Sequence, residues 1–171
     1  KYLNIIGQTN GKDLDLLKRF RGLSVCLIDQ ETPNLKQIKT LANLKIVNLC
    51  LTGNLNLNLV KAEQLANYRG NSLLVSDTSG LSSAHVEKIA QFRGRQLKIE
   101  YIDDLSSKAA KKLVTRGRRS LSLYKLKTLN VDAAKELAKF FGGDLLKIKG
   151  LTKLKPSVLA AFQNVRVGHL H

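Results

Sequence analysis

Histidine is the side chain most often used for acid–base catalysis, and the three histidines of this chain are not grouped with partners. His85 shares its place in a 24-residue pattern with Lys61 and Ala109, which indicates a helix surface rather than a catalytic base. His169 and His171 lie in the last three residues, where a frayed terminus is a simpler interpretation than a metal site. The histidines therefore favour neither catalysis nor metal binding.

Acidic residues and thiols form no better constellation. Glu100, Asp103 and Asp104 are the densest acidic cluster, but their spacing differs from that of a calcium-binding loop. Cys26 and Cys50 lack the His or carboxylate partners that would complete a metal-ligand set. The sequence also has no nucleophile elbow, phosphate-binding loop or dinucleotide fingerprint. We predict that the protein is not an enzyme and has no catalytic residue, metal or cofactor.

The dominant feature of the sequence is a repeat of about 24 residues. A short apolar-x-apolar unit recurs in one register, as Val25/Leu27, Leu49/Leu51, Leu73/Val75, Leu97/Ile99, Leu121/Leu123 and Leu146/Ile148. Such alternation predicts strands, with Leu3/Ile5 and Val165/Val167 as degenerate first and last members. Cys26 and Cys50 would then be neighbours on parallel strands, where aligned geometry aims the Cβ atoms poorly for a disulfide. We predict two free thiols.

A short helix is predicted between successive strands. Apolar residues spaced three and four apart, such as Ala110, Leu113 and Val114, form one stripe along it. Residues of N-cap type stand 24 apart at Asn58, Ser82, Ser106 and Asn130, and Pro156 takes a first helical position in the last repeat. Gly70, Gly94 and Gly142 are predicted to be helix C-caps.

A column of bulky side chains completes the repeat unit. Its members are Phe20, Leu44, Tyr68, Phe92, Arg116 and Phe140. Stacked at strand spacing, these side chains should form a spine in the core, because one repeat alone has too little apolar surface to fold. Arg116 interrupts the column, so we expect a locally irregular turn at residues 116–119.

Three segments resemble leucine-rich repeats, and two of them resemble the irregular bacterial type that reads LxLxGLTxLS, then AAxxLA, then Gly. These two are LKIKGLTKLKPSVLAAF (Leu146 to Phe162) and LSSAHVEKIAQFRGRQLKI (Leu81 to Ile99). The third, LCLTGNLNL (Leu49 to Leu57), resembles the more general leucine-rich-repeat pattern LxLxxNxL. The Asn that usually bonds between coils occurs once, at Asn54, and apolar residues should replace it elsewhere. The resemblance implies an α/β leucine-rich-repeat solenoid over residues 1–171, with about seven repeats, the first and last degenerate. It further implies a curved parallel sheet on the concave side, short helices on the convex side, and protein recognition.

The charge of the chain indicates an acidic partner. Lys and Arg number 29 against 13 for Asp and Glu, a net charge of +16. Small or apolar residues dominate the first half of the predicted concave face, at Cys26, Ile28, Cys50, Thr52, Leu74 and Ser76. Its second half is basic and carries Tyr, with Lys98, Glu100, Tyr101, Ser122, Tyr124, Lys125, Lys147 and Lys149. We expect this second half to bind the acidic or mixed surface of a protein partner.

Two alternatives remain open. Basic residues near the helix ends could form an edge that binds nucleic acid or another polyanion, using Arg21, Lys45, Arg69, Arg93, Arg116, Arg118 and Arg119; the same cations could instead offset helix dipoles. The chain could also be a structural part of a larger assembly, because neither terminus shows a polar capping unit. No apolar run reaches the ~18 residues of a membrane span, so we expect a soluble protein without membrane insertion. The compartment and the oligomeric state stay undetermined.

Overall fold

Strands and helices alternate along the whole of the computed structural model, which describes residues 1–140, 145–151 and 155–163. The strands are β1 (Tyr2–Ile6), β2 (Ser24–Glu31), β3 (Asn48–Asn54), β4 (Ser72–Leu81), β5 (Gln96–Ile102), β6 (Ser120–Tyr124) and β7 (Leu145–Ile148). The helices are α1 (Gly11–Leu17), α2 (Leu35–Ala42), α3 (Leu59–Ala66), α4 (Ser83–Ile89), α5 (Ser107–Val114), α6 (Val131–Leu137) and α7 (Pro156–Ala161). None of these helices combines the length and apolar character that a bilayer crossing requires.

Each strand pairs in parallel with the strands before and after it in sequence. The sheet order is β1-β2-β3-β4-β5-β6-β7, and equivalent positions of neighbouring repeats lie side by side, for example Leu73 opposite Leu49 and Leu97. The six predicted strand units fall in β2 to β7, and Leu3/Ile5 falls in β1. Val165/Val167 lies outside the described residues. Repeated strand–helix units on one parallel sheet are the arrangement of a solenoid-like protein.

One face of the sheet packs against the helices and forms the core. The strand side chains on that face, such as Leu73, Val75 and Ile99, are fully buried. The helices supply Ala and Leu from their apolar stripes, as Ala110 and Leu113 do in α5. Burying each such Leu contributes about 1.5–3 kcal/mol. The opposite face of the sheet, which we call the open face, carries the alternate strand residues.

Asn and Ser side chains begin the helices as the 24-residue spacing predicts. Asn58, Ser106 and Asn130 are N-caps that accept backbone N–H groups of the first turn. Ser82 is the N-cap of α4, and its hydroxyl lies beside Nδ1 of His85. Pro156 is the first residue of α7. These predictions are confirmed.

The predicted role of the glycines as C-caps is wrong for Gly70 and Gly94. Helix α3 is capped at Asn67 and α4 at Ala90, before either glycine is reached. A Cβ at Gly70 would instead overlap the Tyr68 ring, and one at Gly94 would overlap the Phe92 ring. Glycine is needed here because an aromatic ring folds back over the backbone two residues later. Gly142 lies outside the described residues.

The aromatic spine is present. Tyr68 and Phe92 are buried, and their rings stack with centroids 5.9 Å apart. The Tyr68 hydroxyl donates a hydrogen bond to the carbonyl of Ile46 at 2.9 Å. Burial raises the pKa of Tyr68 above its ordinary value, so the phenol stays protonated and keeps this hydrogen bond.

The interior polar contacts of the repeats differ from those implied by the resemblance. Asn54 is exposed, so it is not the buried residue that bonds between coils. Asp77 and Gln30 are instead buried polar residues that bond to the preceding repeat. Asp77 accepts the backbone N–H groups of residues 55, 56 and 57, all in the preceding repeat. The side chain of Gln30 bonds Thr9 and the Gly7 carbonyl of the repeat before it.

The prediction of two free thiols is also wrong. Cys26 and Cys50 are directly opposite each other in the β2–β3 pairing, with Cα atoms 4.4 Å apart, and their sulfur atoms are bonded. The aligned parallel register, which we expected to disfavour the bridge, is what places the two side chains together on the open face.

Candidate functional site

A cluster of lysines and tyrosines covers the carboxyl-terminal half of the open face. We define this Lys–Tyr patch as Lys98, Glu100, Tyr101, Tyr124, Lys125, Lys147 and Lys149. Its side chains come from three neighbouring strands and from the residues that directly follow them. Because the sheet is parallel and in register, residues 24 or 25 apart in sequence become spatial neighbours. The structure therefore brings the predicted basic half of the open face together.

Tyr124 is the centre of the patch. The Nζ atom of Lys98 lies 4.4 Å from the centroid of its ring. The Nζ atoms of Lys149 and Lys147 lie 5.7 and 5.9 Å from the same centroid. A cation within about 6 Å of an aromatic face is attracted by the ring quadrupole. One ring thus gathers three ammonium groups, whose mutual repulsion an anionic partner would relieve.

Tyr101 and Lys125 form a second pair beside it. The Nζ atom of Lys125 lies 3.8 Å from the Tyr101 ring centroid and donates to the Tyr101 hydroxyl. Both residues have positive φ, 60° at Tyr101 and 51° at Lys125, in a column where Gly53 and Gly150 also have positive φ. Glycine adopts this conformation without cost, whereas other residues pay about 1–2 kcal/mol. The chain thus keeps two large side chains where glycine would be more stable.

Glu100 is the one carboxylate of the patch, and its neighbours hold it. Lys98 Nζ lies 2.7 Å from its Oε1 atom, and the Ser76 hydroxyl donates to Oε2 at 2.9 Å. Burial works to raise the pKa of Glu100. The hydrogen bonds from Lys98 and Ser76 and the charges of Lys98 and Lys125 outweigh it and lower that pKa below its ordinary value. The carboxylate therefore orients Lys98, while the surface stays basic.

Ser122 contributes little to this surface. It lies on β6 between Lys98 and Lys147, but only 8% of it is exposed. The two long lysine side chains on either side are more exposed than the short serine between them. Ser122 belongs to the predicted site by position but is not an accessible contact, which corrects that part of the prediction.

The predicted basic edge divides into residues with different roles. Arg69, Arg93 and Arg116 are exposed and line one groove of about 640 Å³. Arg21 donates to the carbonyls of Lys18 and Phe20, so it caps the end of α1. Lys45 and Arg119 are exposed outside the lining of that groove.

The placement of Arg118 on the polyanion edge is wrong. Arg118 is 1% exposed, and its guanidinium donates to the carbonyls of Leu113, Ala90 and Phe92, each at 2.7 Å. Burial, and secondarily the nearby charge of Arg116, lower the pKa of Arg118 to about 10. The group stays cationic at neutral pH and binds carbonyls at the ends of two helices.

In most repeats the ring position points into the core and the residue two places later is glycine. In the repeat of Arg118 these two positions exchange roles, and the later one enters the core. In the preceding repeat Phe92 points inward and Gly94 has no side chain. Register pairing carries the Gly94 position to Arg118, and Arg116 takes the ring position but is exposed. Between them Gly117 has a φ of 60°, which is the irregular turn expected at this point. The sequence did contain a signal for this exchange: Arg116 interrupts the ring column, and a second cation, Arg118, follows two residues later.

Comparison of the chain with protein-family models, with curated proteins and with solved structures gives no match. Across the described ranges, no group of three or more His, Cys, Asp and Glu side chains could hold a metal ion. Two surfaces are candidate sites: the Lys–Tyr patch and the groove lined by Arg69, Arg93 and Arg116, which we call the arginine groove.

Proposed function

We propose that this protein is a leucine-rich-repeat solenoid that acts as a non-enzymatic scaffold and binds an acidic protein surface through its Lys–Tyr patch. The observation that carries the proposal is the Tyr124 ring with three lysine ammonium groups within 6 Å of its centroid. The repeat register supports the leucine-rich-repeat assignment, because apolar strand positions recur every 24 or 25 residues and stack across the sheet.

Tyrosine and lysine together suit a protein partner. A tyrosine ring contributes contact area at small entropic cost and has a hydroxyl for hydrogen bonding. Four lysines against one carboxylate attract an acidic surface and accelerate encounter with it. The positive-φ conformations of Tyr101 and Lys125 also support the proposal, because strained residues persist where function needs their side chains.

Replacing both tyrosines of the patch tests the proposal. Proteins captured from a nuclease-treated lysate by the wild type and by the Tyr101→Ala/Tyr124→Ala variant would be quantified by mass spectrometry. We expect the specific partner to be lost, since truncating a central aromatic residue costs about 2 kcal/mol or more, roughly a thirtyfold loss of affinity each. The affinity for that partner would then be measured with purified proteins.

Two variants serve as controls. Tyr2→Ala removes a tyrosine that is 77% exposed and lies on β1, away from the patch. Arg21→Gln/Lys45→Gln removes two positive charges elsewhere on the surface. Both should capture the partner as the wild type does. If they weaken capture as much as the double tyrosine variant, general charge or tyrosine content is responsible and the patch is not the binding site.

A further inference from the structure

The groove at the helix C-terminal edge is a second surface, on a different side of the molecule from the Lys–Tyr patch. It spans the ends of four helices and is lined by Asn43, Ala66, Asn67, Tyr68, Arg69, Gly70, Gln91, Arg93, Gly94 and Arg116. This lining has three guanidinium groups and three side-chain amides, and it has no carboxylate. At about 640 Å³ the groove is of a size that holds small molecules.

The three arginines of the groove are not engaged in bonds that hold the fold together. Among the described residues, Arg69, Arg93 and Arg116 have no ion pair or side-chain hydrogen bond, and all three are exposed. Arg21, which shares its column of the repeat with Arg69 and Arg93, uses its guanidinium to bond carbonyls at the end of α1. Capping of a helix end is therefore a role that this column can fill but that Arg69 and Arg93 do not fill.

At the ends of α4 and α5, near Arg93 and Arg116, Arg118 serves as the cap instead. The carbonyls at a helix C-terminus repel anions and attract cations. Arg118 bonds such carbonyls in α5 and just after α4 from the interior. This contact offsets the negative ends of α4 and α5 and puts a buried positive charge close to Arg116. An anion in the groove would therefore meet the three arginines of the lining, while the carbonyls at these two helix ends are already bonded.

We propose that this groove binds a compact oligophosphate, a ligand with two or three phosphate groups in a short chain. Guanidinium forks match phosphate oxygens with two parallel hydrogen bonds. Consecutive coils lie about 4.8 Å apart, so Arg69 and Arg93 can reach adjacent phosphates of one chain. The one aromatic residue of the lining, Tyr68, is 2% exposed, so no platform is present for stacking a nucleobase. The groove thus favours the phosphates themselves over a nucleic acid.

Titration calorimetry with inorganic triphosphate, pyrophosphate and orthophosphate tests this site. We expect the wild type to bind triphosphate most tightly and orthophosphate most weakly, because a single phosphate contacts fewer arginines. The Arg69→Gln/Arg93→Gln/Arg116→Gln variant should lose roughly a hundredfold or more in affinity for triphosphate, since each arginine supplies charge-assisted hydrogen bonds. All three positions are exposed, so this variant should fold, which circular dichroism would verify.

The matched control is Arg19→Gln/Lys36→Gln/Lys111→Gln, which removes the same charge from exposed positions outside the groove lining. It should bind triphosphate within about twofold of the wild type at physiological salt, where distant charges are screened. Equal losses in the two variants would reduce the effect to net charge and overturn the site. Absence of triphosphate binding by the wild type would overturn it too. Groove-dependent binding of a single-stranded oligonucleotide in place of triphosphate would reassign the groove to nucleic acid and overturn the oligophosphate.

Discussion

Asp77 and Arg118 are both buried charged residues, one within β4 and the other just before β6, and their backbone partners are of opposite kinds. Asp77 is 0% exposed and accepts backbone N–H groups from the segment that leads into α3. Arg118 is 1% exposed and donates to carbonyls at the ends of α4 and α5. The segment before α3 presents N–H groups to Asp77, and helix ends leave carbonyls without partners. The sign of each buried charge follows from the backbone groups around it.

Charged residues of this protein fall into two groups: those that stabilise the fold and those available for binding. Asp77 and Arg118 have backbone partners and lie in the interior. The lysines of the Lys–Tyr patch and the arginines of the groove are on the surface and share few carboxylates. Substitutions in the first group should therefore change stability, and substitutions in the second should change binding.

The largest expected effect is that of Asp77→Ala. It should lower the free energy of unfolding by about 3–5 kcal/mol, because four backbone N–H groups, two of them buried, lose a charged acceptor at once. Urea denaturation would measure the loss. Asp103→Ala is the control, since Asp103 is partly exposed and its ion pair with Lys127 is worth at most about 1 kcal/mol. A similarly small loss for both variants would show that the N–H bonds to Asp77 do not stabilise the fold.

Arg118→Met should lower the free energy of unfolding by about 2–4 kcal/mol. The methionine keeps the apolar volume but leaves three buried carbonyls without donors. Arg116→Met, at an exposed position two residues earlier, should change stability by no more than about 0.5 kcal/mol. If urea denaturation showed Arg116→Met to be the more destabilising variant, the placement of Arg118 in the core and Arg116 on the surface would be wrong.

Lys125→Gly should raise stability by about 1 kcal/mol while it weakens partner binding. Glycine relieves the positive φ at this position, and the same change removes an ammonium group from the patch. Lys127→Gly removes a nearby lysine at a position without positive φ and should not stabilise the protein. Thermal unfolding and binding of the captured partner would be measured together. A gain in stability with unchanged binding would place Lys125 outside the binding surface.

The smallest effect is a dependence of stability on pH through Glu100. Its pKa in the folded protein is below the ordinary 4.5, so the stability it contributes is present above pH 4.5 and is lost as the pH falls through the folded pKa. Carbon NMR of the carboxyl group would report the titration. In Lys98→Gln the Glu100 pKa should rise, because a hydrogen bond and a charge that lower it are gone. An unchanged titration would show that Lys98 does not hold this carboxylate.

The fold was largely accessible from the sequence, because periodic positions determine it. Apolar residues at Leu73 and Leu97 recur at one spacing, and Asn58 and Ser106 recur at another. Each of these depends on local preferences: strand alternation, helix periodicity and capping. Repetition then requires that equivalent residues stack. The composition of the Lys–Tyr patch followed in the same way, since residues one repeat apart must become neighbours in a parallel sheet.

What the sequence could not determine is the direction in which a side chain points where a repeat departs from the pattern. Arg116 and Arg118 are two residues apart and identical in type, yet one is exposed and the other is in the core. Only the packed structure distinguishes them, because the carbonyls that Arg118 binds come from two different repeats. Asp77 was missed for the same reason. The sequence alone determined the register of this protein, whereas the tertiary structure decided which charges are buried, since their partners are backbone groups that have no sequence signal.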